Sequence, residues 1–199
     1  MQLGHVIYKV NDLSQAVADF EARGFAVEYG TVKRPYNALI YFSHGPYLEL
    51  LARTGMPPLL GRLLSLGPRG GAARRFLSWD RGPEGLCGLC LEGDNSELEE
   101  GMALLNGKGL RIKTKRVDPR GRELRYEVFF PHDVDPPFLV SHVSTGPGPQ
   151  DFTHPKGIGP HHPRRLSVAR ARAGHRPRAE RRPAARAREA RSGHQGDLR

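Results

Sequence analysis

The chain has 199 residues, of which 38% are hydrophobic, and a formal net charge of +10. The charge does not indicate a nucleic-acid-binding domain, because residues 163–199 hold twelve Arg and three acidic residues while residues 1–162 carry a net charge of only +1. No apolar run approaches the roughly 18 residues of a membrane span, and no basic segment followed by an apolar one opens the chain, so we expect a cytoplasmic protein without a membrane partner.

Residues 1–52 predict one strand, one helix and three further strands. The first strand, at about 3–8, carries His5. Alternate side chains along it give one face for the core and one for a cavity or a partner sheet. Asp12 is placed to cap the helix that follows, whose apolar spacing continues to about residue 23. The remaining strands are predicted at 25–29, 37–42 and 47–51, and the last of them carries Glu49 in its middle.

Residues 53–84 differ in character from this first module. Proline and glycine pairs punctuate short apolar pieces, so we predict a connector with one or two short helices. The end of the connector supplies three packing residues, Phe76, Leu77 and Trp79.

The two cysteines, Cys87 and Cys90, follow the connector in the spacing C-x-x-C. The sequence lacks the second such pair that a zinc knuckle would need. The run around them is apolar and strand-like, and alternation along it predicts that the two thiols lie on opposite faces. We interpret both as buried thiols without a redox or metal role.

Residues 85–145 repeat the pattern of the first module. A strand near residue 90 precedes a helix, for which Ser96 and Glu99 form a predicted capping box. Strands are then predicted at 112–117, 123–130 and 138–143. Four helix positions correspond at a constant offset of 85, namely Leu13, Val17, Phe20 and Gly24 with Leu98, Met102, Leu105 and Gly109. The predicted fold class is therefore α+β, with tandem βαβββ modules that form a curved mixed sheet.

Several segments resemble those of one known family. They are LGHVIYKVNDLSQAVADFEARGF, NALIYF and YLELL in the first module, and PPFLVSH and FTHPKGIG in the second half. Over about residues 1–159 the chain is similar to the glyoxalase fold of the vicinal-oxygen-chelate superfamily, and to its glyoxalase-like subfamily of mostly unassigned activity. The resemblance implies that each module curls its sheet into half a barrel, with a divalent metal held inside by a His on the first strand and a Glu on the fourth.

His5 and Glu49 match these two ligand positions in the first module. An imidazole and a carboxylate on neighbouring strands suit Zn, Ni, Mn or Fe, with open positions for a chelating substrate. His142, near the end of the second module, is the predicted third ligand. The alternative is that His5 and Glu49 are polar residues of a metal-free pocket, bonded to each other or to water.

The second module does not repeat the ligand pair. The position that corresponds to His5 is Cys90 or, if two extra loop residues are allowed, Gly88, which we favour. The position that corresponds to Glu49 is Val140 or Ser141, neither of which supplies a carboxylate.

Three further residues are predicted to line the pocket. Asn37 precedes a strand, Tyr126 lies on the long hairpin of the second module, and His154 belongs to the segment that closes the pocket. Each also has a purely structural alternative. In that alternative Asn37 only satisfies hydrogen bonds of a loop, Tyr126 only occupies one face of a strand, and His154 only belongs to a turn before a strand.

The resemblance implies a protein that binds a small oxygen-bearing metabolite in a barrel-like cavity. In one interpretation it is a metal-dependent lyase, isomerase or dioxygenase, with Glu49 as the catalytic residue. In the other it is a metal-free small-molecule binding protein, as some resistance proteins of the superfamily are. The two modules either form the site within one chain or pair with the modules of a second chain in a homodimer.

The sequence changes character after Gly159. Residues 146–159 are predicted to close the domain, and residues 160–199 are an Arg-, Ala- and Pro-rich tail with few large aliphatic residues, for which we predict disorder. Two origins of the tail are open. It is a basic arm that binds nucleic acid or a membrane surface, or it is an out-of-frame reading of a GC-rich gene, which the absence of lysine favours.

Overall fold

The structure is a computed structural model that describes residues 1–31, 33–42, 45–67, 70–117 and 121–142, with Arg116 described by its backbone alone. These residues form eight strands and four helices. None of these four helices is long and apolar enough to cross a membrane. The first module consists of β1 (Gln2–Lys9), α1 (Leu13–Ala22), β2 (Glu28–Tyr29), β3 (Asn37–Ile40) and β4 (Tyr47–Leu51). The predicted connector contains α2 (Pro58–Ser65) and α3 (Gly70–Arg81). The second module consists of β5 (Gly85–Gly93), α4 (Asn95–Leu104), β6 (Gly109–Val117), β7 (Glu123–Pro131) and β8 (Phe138–Ser141).

All eight strands belong to one mixed sheet in the order β2-β3-β4-β1-β5-β8-β7-β6. In each module the first strand pairs in parallel with the fourth, and the two first strands, β1 and β5, pair antiparallel at the centre. The two halves of the sheet therefore have the same strand arrangement on either side of the β1–β5 pair. This confirms the predicted α+β fold with tandem βαβββ modules.

The helices α1 and α4 each cover the outer face of one half of the sheet. Their apolar positions, spaced at helical intervals, are the ones that bury side chains against the strands. In the first module the buried cluster is Val10, Leu13, Val17, Ala38, Ile40 and Leu50. In the second it is Leu91, Leu98, Leu105, Phe129 and Leu139. The alternate residues of the same strands are left to face the inner side of the sheet.

The helix α3 packs on that inner side and is fixed there by two hydrogen-bonded contacts. The buried Arg75 donates from Nη2 to the backbone carbonyls of Asp133, at 3.2 Å, and Pro136, at 2.6 Å, in the loop before β8. Trp79 donates from Nε1 to the carbonyl of Cys87 on β5, at 2.8 Å. These contacts hold the Trp79 ring over the inner face.

The helix caps confirm one prediction and correct another. The Asp12 side chain accepts a hydrogen bond from the backbone N–H of Gln15 at 3.0 Å, as predicted. The capping box of α4 is not formed by Ser96. The strand β5 ends at Gly93 and the helix begins at Asn95, so the N-cap residue is Asp94. The Asp94 side chain accepts from the N–H of Glu97 at 2.8 Å, and the Glu97 carboxylate accepts from the N–H of Asp94 at 3.2 Å.

Cys87 and Cys90 are both free thiols, Cys90 buried and Cys87 half-buried. The prediction that they lie on opposite faces is wrong. The pairing of β5 with β1 shifts register between Gly88 and Leu86, so Cys87 is the extra residue of a β-bulge. Its side chain packs against the same apolar cluster that contains Cys90.

Candidate functional site

His5 lies on the inner face of β1, at the centre of the sheet. Its side chain is buried, and its ring stacks on Tyr47 with a centroid distance of 4.6 Å and an interplanar angle of 17°. The edge of Phe138 closes the other side, at 5.3 Å. Because β1 and β4 pair in parallel with His5 opposite Tyr47, the next inward position on β4 is Glu49. The Nε2 atom of His5 lies 3.5 Å from Oε2 of Glu49.

Glu49 is held from its other side by Asn37. The strands β3 and β4 pair antiparallel, with Leu39 opposite Glu49, so the Asn37 side chain emerges on the same inner face. Its Nδ2 atom donates to Oε1 of Glu49 at 2.8 Å. The Glu49 side chain is 15% exposed, so this carboxylate lies in a partly desolvated setting where both contacts are stronger than in water.

These side chains lie in a cavity of about 240 Å³ between the sheet and α3. Its polar lining residues are His5, Tyr36, Asn37, Tyr47, Glu49, Thr54, Glu92 and Tyr126. Its apolar lining residues are Ile7, Leu39, Leu51, Phe76, Trp79, Val128, Phe130, Phe138 and Val140. Seven of these seventeen side chains carry an aromatic ring of Phe, Tyr or Trp, and two of the polar ones, His5 and Asn37, contact Glu49.

The electrostatic character of the cavity wall is acidic. Among the described residues that line it there are two carboxyl groups, those of Glu49 and Glu92, and neither a Lys nor an Arg. Burial, and after it the Glu49 carboxylate, raises the pKa of Tyr47 well above its ordinary value. Burial, and after it the Glu92 carboxylate, does the same to the pKa of Cys90. Both groups are therefore uncharged at neutral pH.

The structure brings four of the predicted site residues together and places a fifth elsewhere. His5, Asn37, Glu49 and Tyr126 all line the cavity. His142 is not among its described lining residues; its side chain is 54% exposed and its Nδ1 atom lies 3.3 Å from Oε1 of Glu92. The sixth, His154, lies outside the described residues, as do the predicted segments 146–159 and 160–199.

The second module presents different residues at the positions of His5 and Glu49. Cys90 pairs with Phe138 on β8 as His5 pairs with Tyr47 on β4, so Cys90 and not Gly88 corresponds to His5. The favoured alignment with Gly88 is wrong because β5 continues to residue 93, further than predicted. Two residues beyond Phe138, the position that corresponds to Glu49 is Val140.

A divalent metal needs more ligands than the described residues bring together. His5 and Glu49 supply an imidazole and a carboxylate, both suited to such an ion. Among the described residues, however, no group of three or more His, Cys, Asp or Glu side chains is arranged to hold one. Catalytic zinc sites use three protein ligands, so the described donor set does not fit the metal site that the superfamily implies.

Glu92, Trp79 and Phe76 are among the lining residues that were not predicted as site residues. Glu92 follows Cys90 on the inner face of β5, and its signal in the sequence is a carboxylate within an otherwise apolar strand. Trp79 and Phe76 were expected only to pack, because nothing in the sequence of a connector helix indicates which part of the sheet it will cover.

Comparisons with known proteins agree with this architecture. The sequence matches the family model described as "Glyoxalase-like domain" over residues 3–187, which takes in part of the predicted tail. A hypothetical protein from Staphylococcus aureus has a similar structure, with a TM-score of 0.52 and 17% identity over 72% of this chain and 59% of that chain. A methylmalonyl-CoA epimerase in complex with methylmalonyl-CoA and NH4+ has a TM-score of 0.44 and 16% identity over 72% and 95% of the two chains. The methylmalonyl-CoA epimerase from Mycobacterium tuberculosis has a TM-score of 0.41 and 15% identity over 73% and 89%.

At these identities the structural likeness concerns the fold alone, and the chain spans 59% of the length of the Staphylococcus aureus protein. Among curated proteins, none matches this chain in sequence. The family model, in contrast, covers both modules and most of the chain. The chain therefore belongs to the glyoxalase-like domain family.

Proposed function

We propose that this protein binds a compact, oxygen-bearing metabolite in the cavity between the sheet and α3, and that Glu49 exchanges a proton with the bound molecule. The observation that carries the proposal is the arrangement of His5, Glu49 and Asn37 around one point of an aromatic-walled cavity. Pockets for drug-sized ligands measure roughly 300–1,000 Å³. A cavity of about 240 Å³ is therefore suited to a metabolite with few heavy atoms.

Glu49 is the group with the geometry of a general base. Asn37 holds one of its oxygens at 2.8 Å, which fixes the plane of the carboxylate. The second oxygen lies 3.5 Å from Nε2 of the His5 imidazole. A molecule bound in the cavity contacts this oxygen. A carboxylate in a partly desolvated, oriented setting can take a proton from an acidic carbon or hydroxyl, which is the chemistry of isomerases and lyases.

Metal-dependent catalysis is the second candidate, and the pairing of His5 with Glu49 is the observation that favours it. The metal site predicted at His5, Glu49 and His142 stays a prediction. His142 contacts Glu92 in the structure, and a third ligand near His5 would have to come from outside the described residues. Dimerisation, and nucleic-acid binding through residues 160–199, likewise stay predictions.

The test is ligand-dependent stabilisation of the full chain, measured as the shift in Tm with small phenyl alcohols and ketones, each with and without EDTA. We expect stabilisation that EDTA does not change and that Glu49→Gln weakens about tenfold or more in apparent Kd. Glu100→Gln, a change of the same kind at an exposed position on α4, is the matched control.

The metal content of the purified protein separates the two candidates. Near one metal ion per chain, lost in a His5→Ala/Glu49→Ala variant, would make the metal-dependent function the better one. A His142→Ala variant then shows whether that residue is a ligand. Stabilisation that survives in Glu49→Gln at full strength would contradict the role of Glu49 in either candidate.

A further inference from the structure

The charged groups of the cavity wall indicate the charge of the ligand, in addition to the size that the cavity volume indicates. Glu49 lies on β4 in the first module and Glu92 on β5 in the second, and both line the same cavity. Each already has polar neighbours, His5 and Asn37 for Glu49 and His142 for Glu92. None of these neighbours is a Lys or an Arg.

The described wall offers no counter-charge for an anionic ligand. Arg75 on α3 lies over the Trp79 ring at 6.0 Å, but it donates to the loop carbonyls before β8 and does not line the cavity. Lys9 lies on β1, two positions beyond Ile7 on the same face. Its Nζ atom is engaged elsewhere, donating to the carbonyls of Val10 at 2.7 Å and Ala52 at 2.8 Å, and it does not line the cavity. A carboxylate or phosphate buried here would meet two carboxyl groups and no Lys or Arg among the described lining residues, which is costly.

Two groups of the protein itself show the same preference. Tyr47 and Cys90 flank His5 on β4 and β5, and each would place a negative charge near the cavity if it ionised. After burial, the largest cause that raises the pKa is the Glu49 carboxylate for Tyr47 and the Glu92 carboxylate for Cys90. The surroundings of His5 therefore disfavour negative charge.

The aromatic wall adds a second attraction for a cation. Phe130 and Phe138 stack at 5.4 Å, and Trp79 meets Phe138 edge to face at 5.7 Å, so the three rings form a continuous part of the cavity wall. The face of an aromatic ring attracts an ammonium group within about 6 Å, and the attraction grows when water is excluded. The apolar part of a ligand gains from contact with the same rings.

We propose, resting on the function proposed above, that the metabolite bound in this cavity carries a protonated amine, and that it is a compact amine with an oxygen substituent and an apolar or aromatic body. The ammonium group lies between Glu49 and Glu92, and the body lies against Trp79, Phe130 and Phe138. Anionic ligands, among them thioesters of CoA, are excluded by the same carboxylates.

The test compares three probes that share a phenyl ring and differ in the charge of the head group: 2-phenylethylamine, 2-phenylethanol and 3-phenylpropanoate. Titration calorimetry on the full chain at pH 7 and low salt is expected to give a Kd for the amine about tenfold lower than for the alcohol, with the carboxylate weakest. The amine's advantage is expected to shrink at high salt.

The variant Glu92→Gln is expected to reduce the ratio between amine and alcohol to about threefold or less while leaving the affinity of the alcohol unchanged. Glu100→Gln is the matched control. Should Glu92→Gln fail to fold, the ranking of the three probes on the wild-type chain decides by itself.

The two proposals fail in different ways. A carboxylate that binds as tightly as the amine would overturn the inference about charge, while binding of the alcohol that depends on Glu49 would still support the proposed function. Binding of none of the three probes up to about 10 mM would contradict both.

Discussion

Asn37 donates a hydrogen bond from Nδ2 to Oε1 of Glu49 at 2.8 Å, while its own Oδ1 atom is buried and accepts none from any described residue. A buried acceptor without a partner costs roughly 1–3 kcal/mol. An apolar residue at this position, on a strand whose four residues are all buried, would avoid that cost. The contribution of Asn37 is therefore the orientation of the carboxylate.

Gly30 provides a way to test this orientation without touching either residue. A Cβ atom at Gly30 would lie 2.2 Å from Oδ1 and 2.7 Å from Cγ of Asn37, too close for both to stay in place. We expect Gly30→Ala to push the amide away from Glu49 and to raise the Kd for 2-phenylethylamine about tenfold, measured by calorimetry. Gly67→Ala, whose Cβ would lie at an ordinary 3.5 Å from the Leu64 carbonyl, is the control. Equal affinities in the two variants would show that Asn37 does not orient the carboxylate.

The meeting of His5 with Glu49 was predicted from the resemblance, which implies a His on the first strand and a Glu on the fourth strand facing the same cavity. Each residue lies in a short apolar strand, and the alternation of those strands places both side chains inward once the modules are recognised. The same alternation along β3 places the Asn37 side chain on the inner face, because Asn37 lies two residues from Leu39, the partner of Glu49. The acceptor left unpaired at Asn37, and its contact with Gly30, depend on packing between strands and have no sequence signal.

Arg75 is expected to be the charged residue whose loss most destabilises the fold. Arg75→Ala removes the donor that pairs with the carbonyls of Asp133 and Pro136, and leaves the carbonyl of the buried Pro136 without it. We expect a loss of about 2–4 kcal/mol in the free energy of unfolding, measured with urea. Burial lowers the pKa of Arg75 to about 10, so the side chain is still a cation at neutral pH. Arg81→Ala, exposed at the end of the same helix, should change stability by less than about 0.5 kcal/mol. A similar loss in both variants would contradict a specific role for Arg75.

Both cysteines are expected to resist alkylation in the native protein. Burial raises the pKa of Cys90 and Cys87, so little reactive thiolate forms at pH 8. Mass spectrometry after treatment with iodoacetamide should show labelling at least about a hundredfold slower than that of free cysteine, and complete labelling of both thiols in urea. Rapid labelling of Cys90 in the folded chain would contradict the burial described for it. Cys87→Ser identifies which thiol accounts for any slow phase.

The second module shows where sequence reasoning reaches its limit. The choice between Cys90 and Gly88 as the counterpart of His5 depended on where β5 ends, and glycine with two polar residues after Leu91 resembles a loop. The strand continues because backbone pairing with β1 and β8 extends through Glu92. The same extension brings Glu92 into the cavity. Pairing with strands that are distant in the sequence, rather than local propensity, therefore determines both the counterpart of His5 and the position of Glu92.

Glu127 is expected to make stability depend on pH in the acid range. The Arg111 guanidinium, through its hydrogen bond, lowers the pKa of Glu127 below its ordinary value, and a second contact of Arg111, at 2.7 Å, is with Glu99 on α4. Because the folded-state pKa is the lower one, the ion pair stabilises the protein above the unfolded-state pKa and this contribution is lost as pH falls through the folded-state value.

Relative to Glu127→Gln, the wild-type chain should therefore lose its advantage between about pH 5 and pH 3, as measured by urea unfolding. At pH 7 the advantage is expected to be under about 1 kcal/mol, because the pair lies at the surface, and smaller still at high salt. Glu100→Gln, on the exposed side of α4, should show neither dependence. A difference between wild type and Glu127→Gln that stays constant from pH 7 to pH 3 would mean that the variant acts through packing on β7 and not through the charge of Glu127.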